Sequence, residues 1–160
     1  MSKSYISEQV LDIDINLILN KKIKERLEGK CHQLGFILPD SIHINEKSLG
    51  KLVSIENTSK IRYHLKYKAN IINPSKGNQI KCYISNITKA GIIAYIKMNE
   101  IIDDYDGENN ITDSPLIIII PSGRIDNIEN MHITQTINIE VTASRTKFNS
   151  KNIQIIGKLV

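Results

Sequence analysis

Apolar and polar positions alternate with period two along most of this chain, and a helical spacing surfaces in one short stretch. Leu11, Ile13 and Ile15 share a face against Asp12, Asp14 and Asn16, with Val10 breaking the phase, so the stretch from Tyr5 to Asn16 predicts a first strand. Leu19, Ile23 and Leu27 then recur every four residues, with Asn20 available as a cap and Gly29 as a stop, which predicts a short amphipathic helix. Further strands are expected at 35–38, 42–45, 49–55 and 61–71, giving a β-α-β-β-β layer with one helix on a sheet. In the last of these, Ile61, Tyr63, Leu65, Tyr67 and Ala69 fall on one side, while Arg62, His64, Lys66 and Lys68 form a basic stripe on the other.

Pro74 cannot donate to a ladder and Gly77 relaxes the backbone, so the chain is punctuated there. The division falls between residues 1–76 and 77–160. In the second part, strands are expected at 79–88, 91–97, 116–121, 136–143 and 153–160, the five of an OB-type barrel. Ile80, Cys82 and Ile84 alternate with Lys81, Tyr83 and Ser85, which are expected to face outward, and Lys89-Ala90-Gly91 turns the chain into a hairpin. The unbroken run Leu116 to Ile120 predicts a strand covered on both faces, or one whose outer face meets the other domain. Residues 98–114 hold Glu100, Asp103, Asp104, Asp106, Glu108 and Asp113 with no basic residue, an expected exposed acidic insertion. The fold class is therefore α+β, with an N-terminal β-α-β-β-β domain followed by a C-terminal five-stranded OB-type barrel.

Charge and composition change this picture in two respects. Residues 1–76 carry thirteen Lys and Arg against eight Asp and Glu, a net +5, whereas residues 77–160 carry eight against nine. The overall +4 thus lives in the first part, and a basic barrel face can coexist with acids segregated into 98–114. Hydrophobic residues make up 41% of the 160, without a run of eighteen, so no membrane-spanning helix is expected, and the polar start Met1 to Glu8 has no signal-peptide core. Cys31 and Cys82 stand far apart with no Cys-x-x-Cys unit, which points to a reducing compartment and away from structural zinc.

Candidate catalytic chemistry is sparse. His32, His43, His64 and His132 are scattered, without a His-Glu-x-x-His unit or a Ser-His-Asp context, and the adjacent Cys31 and His32 would point apart on a strand. Asp12 and Asp14 read as a solvated strand edge. Asp103-Asp104-Tyr105-Asp106-Gly107 lacks the register and the twelfth-position Glu of a calcium loop. No catalytic residue, metal ligand or cofactor is assigned.

The run Leu65-Lys66-Tyr67-Lys68-Ala69, followed by Pro74-Ser75-Lys76-Gly77, resembles the junction of the stalk subunit family of DNA-directed RNA polymerase: the seventh subunit of RNA polymerase II and its archaeal and large-DNA-virus relatives. Leu27-Glu28-Gly29-Lys30-Cys31 with Gly35-Phe36-Ile37-Leu38 looks like the family's helix end and second strand, and Ile153-Gln154-Ile155-Ile156-Gly157 like its closing strand. The order and spacing cover roughly the whole chain. The abundance of Ile, Asn and Lys, whose codons are AT-rich, points toward a large DNA virus or an intracellular parasite.

The resemblance implies a non-catalytic subunit whose first domain docks on the large polymerase subunits near the clamp, and whose barrel faces nascent RNA or initiation factors. It places docking at Leu17, Ile18 and Leu19 and at the turn holding Lys47, Ser48, Leu49, Gly50, Lys51 and Leu52; equally, the first triplet reads as a buried helix start and the second as an ordinary hairpin tip. A small helical companion subunit, found with cellular members, is a candidate partner. A viral member would work in host cytoplasm and virion, a cellular one in the nucleus. At the places where related barrels stack bases, this chain has Ala90 and Ile93, neither with a ring. Weak RNA contact would fall to Lys81, Tyr83, Lys89, Tyr95 and Lys97, or to Arg145, Lys147, Phe148 and Lys151, although both sets also read as ordinary solvated surface. The rival reading is a free-standing OB-fold single-strand or translation-associated RNA-binding protein.

Overall fold

A computed structural model describes residues 2–126 and 128–160, with side chains from Ile15 onward apart from Arg124. The chain is mixed α+β, mostly strands with one helix, and it divides into two compact units that are discontinuous in sequence: 2–28 with 38–70, and 29–37 with 71–160. Residues 29–37 and 71–76 thus group with the barrel and not with the segment that a break at 76/77 would assign them to.

The first unit begins with helix α1, Ser2–Leu27, where a strand over residues 5–16 was expected. The helical spacing seen at Leu19, Ile23 and Leu27 extends back through Ile15 to Leu11, an unbroken four-residue row that competes with the local alternation at 11, 13 and 15. Ile15, Leu19, Ile23 and Leu27 are half-buried along this row, while Leu17 and Ile18 lie in open solvent. Asn20 lies inside the helix and not at its cap. Lys24 and Arg26 sit in the last turn, where the helix dipole favours cations, and Gly29 follows at φ 71° as the left-handed stop. The Glu28 carboxylate accepts the Ile42 N–H at 3.2 Å, and Lys47 Nζ donates to Asn16 Oδ1 at 2.9 Å.

The strands range from two to ten residues. In chain order they are β1 Cys31–His32, β2 Gly35–Ile37, β3 His43–Lys47, β4 Lys51–Ile55, β5 Thr58–Arg62, β6 Leu65–Lys68, β7 Ile71–Ile72, β8 Gln79–Thr88, β9 Gly91–Tyr95, β10 Leu116–Pro121, β11 Thr136–Arg145 and β12 Ile153–Leu159. In the first unit β3 pairs with β6, and β4 with β5. The single strand expected over 61–71 is therefore three, β5, β6 and β7, each with its own partner. Its alternation survives from Tyr63 onward, with Tyr63, Leu65, Tyr67 and Ala69 half-buried and Arg62, His64, Lys66 and Lys68 exposed. The anticipated β-α-β-β-β layer is replaced by a helix followed by two separate two-stranded ribbons.

The second unit holds a small β1-β2-β7 sheet and a closed barrel in the order β10-β12-β11-β8-β9, consistent with an OB-type barrel. Numbering the barrel strands one to five along the chain gives 1-2-3-5-4-1, with only the third and fifth, β10 and β12, parallel. Cys82, Ile84, Ile92, Ala94, Leu116, Ile118, Ile120, Ile139, Val141, Ile153 and Ile155 fill the interior, each essentially without solvent contact. Burying side chains of this size contributes about 1.5–3 kcal/mol each before the entropic cost of ordering them. Gly91, at φ 147°, lets β9 cross β10 so closely that a Cβ there would lie 2.0 Å from the Ile120 carbonyl oxygen.

One expectation about the barrel changes, whereas the acids of 98–114 are exposed as expected apart from the half-buried Asp113. The Leu116–Ile120 run is not covered on both faces: Leu116, Ile118 and Ile120 are buried, Ile117 is half-buried and Ile119 is 41% exposed. The acidic stretch 98–114 is anchored at both ends: Met98, in a short 3-10 turn, is buried, and the buried Ser114 hydroxyl accepts the N–H groups of Ile96 at 3.1 Å and Leu116 at 3.2 Å. Between them the chain orders itself through Asn99 N–H to Asn109 Oδ1 at 2.8 Å and Tyr105 hydroxyl to Asp113 at 2.8 Å. Burial first, and then Asp113, push the Tyr105 phenol up to about 12.

Candidate docking ribbon and nucleic-acid surfaces

Strands β4 and β5 form a hairpin closed by Glu56 and Asn57, both at positive φ (49° and 62°), as a two-residue turn between right-twisting strands requires. Leu52 stands opposite Ile61, and Lys51 opposite Arg62. Period two places Leu52 and Ile61 on one face, and Lys51, Lys60 and Arg62 with Val53 and Ile55 on the other. Of the ten strand residues only Val53 is even half-buried. A two-stranded ribbon bare on both faces is marginal in water, and this one leaves Leu52 and Ile61 exposed.

The preceding turn belongs to the same surface. Leu49 is 94% exposed and Leu52 72%. Gly50 lies against Ile61 and Tyr63, where a Cβ would come within 2.7 Å of the isoleucine methyl, and Lys47 Nζ sits 5.6 Å from the Tyr63 ring centroid. Lys47, Leu49, Gly50, Lys51 and Leu52 thus lie along one exposed stretch from β3 into β4, with Lys51 and Leu52 on opposite faces of the ribbon. Leu17, Ile18 and Leu19 lie within α1, so the docking loop expected there is helical, with Leu17 and Ile18 exposed and Leu19 half-buried.

The first group of candidate RNA-contacting residues is largely occupied by its own neighbours. Tyr83 and Tyr95 face each other across β8 and β9 with ring centroids 5.9 Å apart, and both are buried, Tyr83 to 7% exposure. Tyr83 does stand on the outer side of β8, as the alternation required, but Lys97 Nζ covers its ring at 4.2 Å and its hydroxyl donates to the Glu100 carboxylate. Lys81 Nζ lies 3.7 Å from the same carboxylate, and the hydrogen bond with Tyr83, then the Glu100 charge, hold its ammonium above the ordinary value. Lys89 is exposed in the turn between β8 and β9.

The second group is arranged differently. Arg145 ends β11, and Lys147, Phe148 and Lys151 lie in the loop to β12. Cys31 and the loop exchange backbone hydrogen bonds, Cys31 N–H to Ser150 at 2.8 Å and Asn149 N–H to Cys31 at 3.0 Å, so β1 pins the loop. His32, adjacent in sequence to that clamp, packs its ring 5.5 Å from the Phe148 ring at a 54° tilt. Sequence reasoning had no means of finding His32, because 116 positions separate it from Phe148 and only the β1 clamp joins them. A cleft of about 210 Å³ lined by Arg145, Lys147, Ser150, Asn152 and Gln154 opens beside them.

Among the described residues no cluster of three or more His, Cys, Asp or Glu side chains could hold a metal ion, and no helix is long and apolar enough to cross a membrane. No protein-family model and no curated protein matches this sequence.

Proposed function

We propose that this chain is a non-catalytic stalk subunit of a multisubunit DNA-directed RNA polymerase, docking on the large subunits through its first unit and presenting an OB-type barrel toward nascent RNA or initiation factors. The observation that carries this reading is the bare β4–β5 ribbon with Leu49 and Leu52 turned to solvent beside Lys51, a surface that needs a partner with apolar pockets and acidic rims. The junction motif at 65–69 and 74–77, and the five-stranded barrel after it, agree with the same assignment.

Affinity capture with tagged chain tests it. Wild type recovers the large polymerase subunits, and a small helical companion if one exists. Leu49→Asp with Lys51→Glu abolishes that recovery while leaving the thermal unfolding midpoint in place, since both side chains are exposed. Recovery of RNA or ribosomal proteins without polymerase would replace this reading with the free-standing RNA-binding protein, which the 1-2-3-5-4-1 barrel order favours on its own.

A further inference from the structure

We infer that a single-stranded polynucleotide is held at the loop between β11 and β12, with one base stacked on Phe148 and its phosphates in the cleft between Arg145 and Lys147, and that the β8–β9 tyrosine face is not the binding surface. The inference rests on reading the barrel as nucleic-acid facing, and it is independent of polymerase attachment.

Four observations meet at this loop. Phe148 is 61% exposed, so one face of a large ring is available to a base. The His32 ring backs it at 5.5 Å, and the β1 clamp on Ser150 and Asn149 holds the segment in place, which lowers the ordering cost of binding. Arg145, Lys147 and Lys151 form no ion pair among the described residues, and no acid lies between positions 141 and 160. Finally, the adjoining cleft adds Ser150, Asn152 and Gln154, neutral side chains of the kind that contact phosphate and base edges.

The tyrosine face differs in its rings and in its charge. Its rings are buried, Lys97 already covers Tyr83, and Glu100 places a carboxylate against both Lys81 and the Tyr83 hydroxyl, where it would repel a phosphate. Two sets of basic and aromatic residues that look equivalent in sequence are therefore distinguished by one acid and one buttressing histidine. His32 acts here as a positioning residue: it fixes the ring that a base would meet.

The test is fluorescence anisotropy of labelled twelve-nucleotide oligo(U) and oligo(dT) against the full chain over a series of salt concentrations. Wild type binds, and Phe148→Ala weakens binding about fivefold or more while leaving the salt dependence unchanged. Arg145→Gln with Lys147→Gln flattens the slope of log K against log salt by about 1.4, the value for two phosphate contacts on a single strand. His32→Ala weakens binding and His32→Phe restores it, whereas Lys81→Ala has no effect. Tighter oligo(U) than oligo(dT) binding identifies RNA as the source; equal binding leaves the shared polynucleotide chemistry as stated.

Absence of oligonucleotide binding by wild type at low salt overturns the inference. So does binding that survives both the Phe148 and the Arg145/Lys147 changes, since the site would then lie elsewhere. Capture of polymerase subunits by these loop variants, undiminished, keeps the outcome separate from that of the docking test.

Discussion

The Tyr83 hydroxyl donates a hydrogen bond to Glu100, seventeen residues further along the chain, and that contact ties the start of the acidic stretch to the outer face of β8. The carboxylate also faces Lys81, so two residues that would otherwise offer a basic, aromatic surface are satisfied internally. A sequence pattern that reads as a binding face is, in the folded chain, a local staple.

Removing one member of this staple has a measurable cost. Tyr83→Phe keeps the packing against Tyr95 and Lys97 but removes the hydroxyl donor and leaves the carboxylate to Lys81 alone. Urea unfolding is expected to show a loss of about 1–2 kcal/mol with an unchanged m-value. A larger loss would mean that the hydroxyl organises more of the 98–114 stretch than the Glu100 contact alone.

The exposed ribbon and the barrel interior respond oppositely to truncation. Leu52→Ser is expected to change stability by no more than about 0.5 kcal/mol, because the side chain already lies in water. Ile118→Ala, at the centre of the barrel, is expected to cost about 2–5 kcal/mol through lost burial and the cavity left behind. Comparing the two unfolding midpoints checks both. Strong destabilisation by Leu52→Ser would show that the ribbon is covered within the folded chain and is not a free docking edge.

Cys82 reports on barrel integrity through pH. Burial pushes its thiol up to about 12 from an ordinary 9.0. The unfolded chain therefore loses this proton at lower pH than the native chain, so the contribution is fully present below pH 9 and is lost as pH rises from 9 toward 12. Tyr105, raised to about 12 from 10.0, acts in the same direction over the upper part of that range. Denaturation at a series of alkaline pH values is expected to show falling stability, and Cys82→Ala to reduce the slope. At pH 8 a thiol reagent should leave Cys82 unmodified until denaturant is added.

The elements legible in the chain were those whose pattern is local. Gln79–Thr88 and Leu116–Pro121 matched their expected bounds residue for residue, and the remaining barrel strands differed only at their C-terminal ends, because alternation and turn residues mark each strand without reference to its partners. Gly29 likewise announced the helix stop. The N-terminal helix was misread where two periods overlap: Leu11 and Ile15 satisfy both a two-residue and a four-residue spacing, and only the longer row, continued through Leu19, Ile23 and Leu27, separates helix from strand.

Pairing, covering and clamping were not legible, since each depends on residues far apart in sequence. Three strands emerged from the single alternating run 61–71 because β4, β3 and β2 each claim a different part of it. Period two assigned Tyr83 correctly to the outer side of its strand, yet its burial depends on Lys97 and Glu100 folding over it. Phe148 was visible as a candidate from the basic residues around it, whereas its partner His32 entered only when β1 closed on the β11–β12 loop. The chain's local chemistry thus sets which faces exist, and tertiary contacts, by spending some charges and rings on each other, set which of those faces remain open to a ligand.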